Sequence, residues 1–112
     1  METKIIRIYI ASPYTKGNKV FNVKNSLEIA DKLIKTNKFV PFCPLLTHFH
    51  HMFFPQSYET WLKFDFIWIG QCQCLLRLPG ESLGADREVE EANKLNIPVF
   101  YTLEGLFKYY QI

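Results

Sequence analysis

A chain of 112 residues, 48% hydrophobic and 16% aromatic, has the length of one domain and enough apolar side chain to fill its core. A formal net charge of +2 gives none of the basic excess that marks a nucleic-acid binder, and no apolar run reaches the roughly 20 residues of a membrane-spanning helix. Met1-Glu2-Thr3-Lys4 lacks a secretory-leader pattern, and Cys43, Cys72 and Cys74 are odd in number with no Cys-x-x-Cys spacing, so a cytoplasmic protein with reduced, buried thiols is expected.

Lys4 to Ile10 is β-branched and apolar and predicts a buried strand. Ala11 to Lys19, rich in Ser, Pro, Gly and Asn, predicts a loop. Val20, Val23, Leu27, Ala30 and Ile34 recur at steps of three and four, which predicts one apolar helical face, ended by Thr36 and Asn37. Phe39 to Cys43 predicts a short strand broken by Pro41. Pro44 to Gln56, with Thr47, three histidines and two adjacent phenylalanines, predicts a long loop. Ser57 is an N-cap for a helix to about Gly70. Gln73 to Leu78 predicts a third strand, on which Cys72 and Cys74 share one packed face. A Pro79-Gly80 turn follows, and Ser82 or Leu83 opens a helix with core face Ala85, Val89 and Ala92. Ile97 to Tyr101 predicts a fourth strand and Leu103 to Tyr110 a short terminal helix.

Apolar strands alternating with helices place the chain in the α/β class. The expected architecture is a single domain over residues 1–112, a Rossmann- or flavodoxin-like three-layer sandwich with a parallel sheet of four or five strands. Ligands of such sheets sit beyond the C-terminal ends of the strands. Those ends carry Ser12, Pro13 and Tyr14, then Cys43 to His51, then Pro79 to Gly84, and the three segments should converge on one pocket.

The third of these segments is the most telling. A strand, a Pro-Gly turn, a Ser-x-Gly and a helix carrying Glu88 in its second turn would put a hydroxyl, free N–H groups and a possible nucleophile at the mouth of the sheet. Ser82 can cap the helix and touch a phosphate at once, and Gly80 and Gly84 permit close backbone approach. Glu88 borders the packed helix face, where it is either an exposed helix carboxylate or a reacting group. Asp65 has Trp61, Leu62, Trp68 and Ile69 at helical spacing, so it needs either a backbone or basic partner or a chemical purpose. Thr47-His48-Phe49-His50-His51 suggests a metal only weakly, since no carboxylate or cysteine stands at ligand spacing. A histidine on the pocket rim fits better. Tyr9 is core or site, and Tyr14, after Pro13, is placed to touch a ligand.

These motifs resemble a known family. Tyr9-Ile10-Ala11-Ser12-Pro13-Tyr14 resembles the Tyr-Leu-Ala-Gly-Pro strand and loop of the nucleoside 2-deoxyribosyltransferase-like superfamily. Asp65, eight residues before Gln73, resembles that superfamily's conserved aspartate, and Ser82 to Glu88 is similar to its Ser-Leu-Gly-x-x-x-Glu segment. The 2'-deoxynucleoside 5'-phosphate N-hydrolases match best, because they keep a serine six residues before the glutamate. Ser12 stands where many members have Gly, and Gln73 where an aspartate is common. The resemblance implies cleavage of an N-glycosidic bond without metal or organic cofactor. Glu88 would be the nucleophile at C1' and Asp65 would position it or handle a proton on the departing base. Ser82, with Gly84 and the adjoining N–H groups, would hold a 5'-phosphate. Tyr9, Ser12, Pro13 and Tyr14 would line the sugar and base pocket, and His48 falls where a family histidine approaches the ligand. It also implies a homodimer or higher homo-oligomer acting on a small nucleotide or nucleoside, with no nucleic-acid polymer and no membrane as partner. Base exchange by a deoxyribosyltransferase and a non-catalytic nucleotide-binding module are the competing readings.

Overall fold

The computed structural model describes residues 4–112; Met1 to Thr3, part of the start inspected for a leader, lie outside the described residues. Strand β1 (Ile6–Ala11) is followed by helix α1 (Lys19–Lys35), β2 (Phe39–Phe42), a 3-10 turn (Pro44–Leu46), α2 (Thr47–Phe53), α3 (Tyr58–Gly70), β3 (Cys74–Arg77), α4 (Leu83–Lys94), β4 (Val99–Phe100) and α5 (Leu103–Tyr110). The four strands form one parallel sheet in the order β2-β1-β3-β4. The chain thus leaves β1 to one side and returns to the other, which makes the gap beyond the C-terminal ends of β1 and β3 a topological switch point.

Alternation along β1 sorts the two cores. Ile6, Ile8 and Ile10 pack with Ala30, Leu33, Phe39, Cys74, Leu76 and Leu106 on the side of α1 and α5. Tyr9 and Ala11 pack with Ile69, Leu75, Ala85 and Ala92 on the side of α3 and α4. That second face determines which helices a β1 side chain can meet near the switch point. Pro41 is tolerated because β2 is an edge strand, where a missing N–H breaks no ladder on its open side. Asn18, Ser57, Ser82 and Thr102 cap α1, α3, α4 and α5, each accepting a backbone N–H three residues on.

Four details differ from the sequence expectations. Residues 44–53 are helical rather than a loop: Pro44 starts a 3-10 turn, the Thr47 hydroxyl donates to the Pro44 carbonyl at 2.8 Å, and no glycine interrupts the run. On α1 the buried residues are Ser26, Ala30 and Leu33, while Val20, Leu27 and Ile34 are exposed. This helix carries more apolar residues than one stripe holds, and the small Ser26 lets it lie close to the sheet. Cys72 lies in the turn after α3, its N–H bonded to the Ile69 carbonyl, so it packs on the α3/α4 side while Cys74 packs on the α1/α5 side. Strand β4 is limited to Val99 and Phe100, paired with Leu75 and Leu76. No helix of the described residues is long and apolar enough to cross a membrane.

Candidate active site

A cavity of about 710 Å³ opens at the switch point, lined by residues of the β1–α1 loop, α2, α3 and the start of α4. The three segments expected to converge do so: Ser12 and Tyr14, Thr47 and His48, and Ser82 to Gly84 all face it.

Its floor is acidic. Tyr9, fully buried on β1, points to the α3/α4 side and donates its hydroxyl to Glu88 Oε2. Glu88 is 5% exposed, because it lies on the same packed stripe of α4 as Ala85 and Ala92. Asp65 reaches the same spot from α3 and lines the cavity beside Glu88, but its Oδ1 is buried with no donor. Two carboxyls and one phenol therefore share a single proton donor. Burial pushes Asp65 up to about 7, against the stabilising pull of hydrogen bonding with Glu88 and Tyr9. Burial likewise pushes Glu88 up to about 8; the Tyr9 hydroxyl opposes this, the Asp65 charge adds to it, and Arg77 opposes it. Tyr9 is raised well above its ordinary value by burial and by the two carboxylates, so it stays a donor. The pair behaves as one titrating unit that keeps a proton near neutral pH. The proton on one carboxyl gives the other a donor, which a fully ionised pair would lack.

The wall is the N-terminus of α4. Ser82 Oγ accepts the Ala85 N–H at 3.1 Å and still has its own proton to give. The N–H groups of Leu83 and Gly84, in the first turn, have no intrahelical acceptor. A Cβ at Gly84 would lie 3.6 Å from the Tyr58 hydroxyl and 4.0 Å from Ser82 Oγ, so packing alone does not require glycine there. Gly80 is different: its φ is +120°, and a Cβ would fall 2.9 Å from the Pro13 ring. Pro13 is thus buried against the turn beneath the cavity and is not among its lining residues. Ser12 is buried, faces the cavity, and bonds the Pro13 carbonyl at 3.1 Å.

Arg77 carries a structural role that the sequence reading missed. It is 9% exposed at the end of β3, donates to the carbonyls of Leu78 and Gly80, the latter at 2.9 Å, and pairs with Asp86 at 3.0 Å. It ties the turn to the first part of α4. A lone arginine inside the apolar run Cys74 to Leu78 was the available signal. Gln73, the residue that departs from the family aspartate, accepts the Arg7 N–H at 2.8 Å and registers the start of β3 against β1.

The roof comes from α2 and the β1–α1 loop. The Tyr14 hydroxyl bonds His48 Nδ1, and the Lys19 ammonium sits 5.6 Å from the Tyr14 ring. Lys16 also lines the cavity and pairs with Glu81 at 3.4 Å. His51, Tyr58 and Trp61 line it too; Tyr58 and Trp61 share one face of α3 with Leu62 and Asp65, a spacing of three and four that could have pointed to them, whereas only the fold brings His51 to that face. Among the described residues no three His, Cys, Asp or Glu side chains gather as a metal site would require.

The sequence matches the family described as a domain of unknown function, DUF7768, over residues 6–102. No curated protein matches it by sequence. In three dimensions the chain is similar to a 2-deoxyribosyltransferase from the psychrotolerant bacterium Bacillus psychrosaccharolyticus, with a TM-score of 0.58 at 20% identity over 83% of this chain and 69% of that one. The likeness is one of fold: a parallel α/β sheet of the deoxyribosyltransferase type.

Proposed function

The chain belongs to the DUF7768 family, a domain of unknown function, and from its fold and the residues of the cavity we propose that it is a nucleotide N-hydrolase, cleaving the N-glycosidic bond of a (deoxy)nucleoside 5'-monophosphate. The observation that carries the reading is that Asp65 and Glu88 both line the cavity floor, with the Tyr9 hydroxyl beneath them bonded to Glu88. A pure phosphate binder gains nothing from two carboxyls near an anion, whereas glycosyl transfer needs both.

In the proposed reaction the 5'-phosphate rests on the Leu83 and Gly84 N–H groups and the Ser82 hydroxyl, with Lys16 and Lys19 adding charge. In the reacting form the proton shared by the pair sits on Asp65, and Tyr9 holds one oxygen of the Glu88 carboxylate, leaving the other free to attack C1'. As the C1'–O bond to Glu88 forms, the C1'–N bond breaks, and the base leaves with the proton held by Asp65. Water then attacks C1'. Its proton passes to the Asp65 carboxylate, the ester electrons return to Glu88, and sugar 5'-phosphate is released. All steps use only the chain's own acids, so no cofactor is invoked.

The fold neighbour supports a second reading, base exchange, in which a free base replaces water at the glycosyl-Glu88 ester. We also propose a homo-oligomer. Phe49, Met52 and Phe53 of α2, then Phe54, are exposed, and Phe54, His50, Trp61, Phe64 and Trp68 form a ring-to-ring chain over α3. Apolar patches of this kind are rare on the free surface of a monomer. The test of function is incubation with a panel of ribo- and deoxyribonucleoside 5'-monophosphates, with and without a second base, followed by chromatography. Free base without added acceptor supports hydrolysis. A new nucleotide in place of free base moves the reading to exchange, and unchanged substrate bound in the cavity moves it to a binding module.

A further inference from the structure

The tautomer of His51, in the cavity wall, is dictated by its neighbours. Its Nδ1 accepts the Trp61 indole N–H at 2.9 Å and the backbone N–H of Gln56 at 3.2 Å. Neither group can do anything but donate. Nδ1 must therefore present its lone pair, and the proton of the neutral ring sits on Nε2. The loop Phe54–Ser57 and the first turn of α3 thus fix both the tautomer and the orientation of a ring that lines the cavity. Nε2–H is the polar group the ring has left to offer a ligand.

A neutral donor set among flat surfaces reads a neutral acceptor. Trp61, Tyr58 and Leu62 line the cavity beside it, whereas the cationic groups, Lys16 and Lys19, come from the β1–α1 loop and the start of α1. An anion gains more from the lysines and the α4 N-terminus than from one neutral N–H. A nucleobase suits the aromatic side by its faces and the His51 donor by its edge.

Resting on the nucleotide reading above, we propose that His51, locked as the Nε2–H tautomer by Trp61 and Gln56, is a specificity-determining residue that selects bases carrying an exocyclic carbonyl over those with an amino group in its place. The preferred substrates are then 6-oxopurine or 4-oxopyrimidine nucleotides. Trp61 is a positioning residue, acting through the imidazole. The carbonyl accepts from Nε2–H; an amino group meets it donor to donor, which strands both groups out of water.

The test has two parts. Nitrogen-15 NMR of the ligand-free protein should give His51 the shifts of a protonated Nε2 and bare Nδ1, and Trp61→Phe should move that balance. Calorimetry should then compare 2'-deoxyinosine and 2'-deoxyadenosine 5'-monophosphates, which differ at one exocyclic group, using the Glu88→Gln protein to prevent turnover. Wild-type His51 should favour the inosine nucleotide by roughly two- to tenfold, the range of a single hydrogen bond. His51→Phe, which keeps a flat ring without a donor, should erase the preference, and Trp61→Phe should reduce it. Equal binding of the two nucleotides, a preference that survives His51→Phe, or an Nδ1–H tautomer would overturn the assignment while leaving the nucleotide reading standing. Failure of both nucleotides to bind would remove the nucleotide reading and this assignment with it.

Discussion

The two helices that carry cavity residues on either side, α4 and α2, are built in opposite ways. Helix α4 runs from Leu83 to Lys94, is capped by Ser82, buries Ala85, Glu88 and Ala92, and is tied to the preceding turn by Arg77. Helix α2 has seven residues, no side-chain cap and no buried residue. So short a helix is marginal unless something packs on it. The side that would do chemistry is held rigidly by core packing and buried hydrogen bonds. The side that would recognise a base rests on aromatic edges and on His48 and His51. Preorganisation by core burial is concentrated where a bond would break, while on the α2 side it rests on single hydrogen bonds such as those that hold His51.

The largest test of that division is Glu88→Gln. Glutamine fills the same volume and can still accept the Tyr9 hydroxyl, so stability should change by no more than about 1 kcal/mol. Turnover should fall by roughly 10³- to 10⁶-fold, as expected for loss of a nucleophile. Unchanged base release would remove Glu88 from the chemistry.

Arg77→Met probes the rigid side at a residue that does not line the cavity, although it also removes a charge that holds Glu88 down. It leaves the Leu78 and Gly80 carbonyls without their donor. The bond to Asp86 counts for less, since that carboxylate is 67% exposed. We expect a loss of about 2–4 kcal/mol in chemical denaturation. An equivalent truncation on α2, Met52→Ala, should cost under about 0.5 kcal/mol in the monomer, because Met52 is exposed. Similar losses at the two sites would end the contrast.

The Asp65–Glu88 pair gives a pH signature. Unfolded, both carboxyls titrate near 4; folded, they hold protons up to about 7 and about 8. Between those limits the folded chain binds more protons, so the pair's contribution to stability is complete below about pH 4 and is lost as pH rises through 7 and 8. Melting temperature should therefore decline from about pH 4 to about pH 8 and level off above that. Asp65→Asn removes one of the two protons, flattening the slope by up to about 1.4 kcal/mol per pH unit. In kcat/KM the wild type should give a bell whose two limbs belong to the pair, and Asp65→Asn, which leaves one titrating carboxyl, should reduce it to a single limb. Parallel pH curves for the two proteins would show that Asp65 does not share the proton.

The contrast between the helices also explains what the sequence displayed. Alternating apolar strands and capped helices spelled out the sheet, and Ser82, Gly84 and Glu88 stood together on a motif that local spacing makes visible. Asp65 was conspicuous as an acid among Trp61, Leu62, Trp68 and Ile69. Helix α2 was hidden because its residues bury nothing, so no apolar period marks it. The buried stripe of α1 was masked by a surplus of apolar residues. Links such as Tyr9 to Glu88 or His51 to Trp61 join elements that only the fold brings together, and local periodicity carries no trace of them.

Gly84→Ala is the smallest change and the sharpest separation of fold from function. Alanine is the better helix former, and a Cβ at this position meets Tyr58 and Ser82 only at ordinary contact distances. Stability should hold or rise by up to about 1 kcal/mol. The new methyl group would nevertheless occupy the space where an anion must approach the Leu83 and Gly84 N–H groups. We expect KM for nucleoside monophosphates to rise about tenfold, a cost of about 1.4 kcal/mol, with much less effect on unphosphorylated nucleosides. Steady-state kinetics with both substrate types measures the difference. An equal loss for both would mean that the α4 N-terminus holds something other than the phosphate. A protein destabilised by the methyl group would mean that glycine serves the turn rather than the ligand.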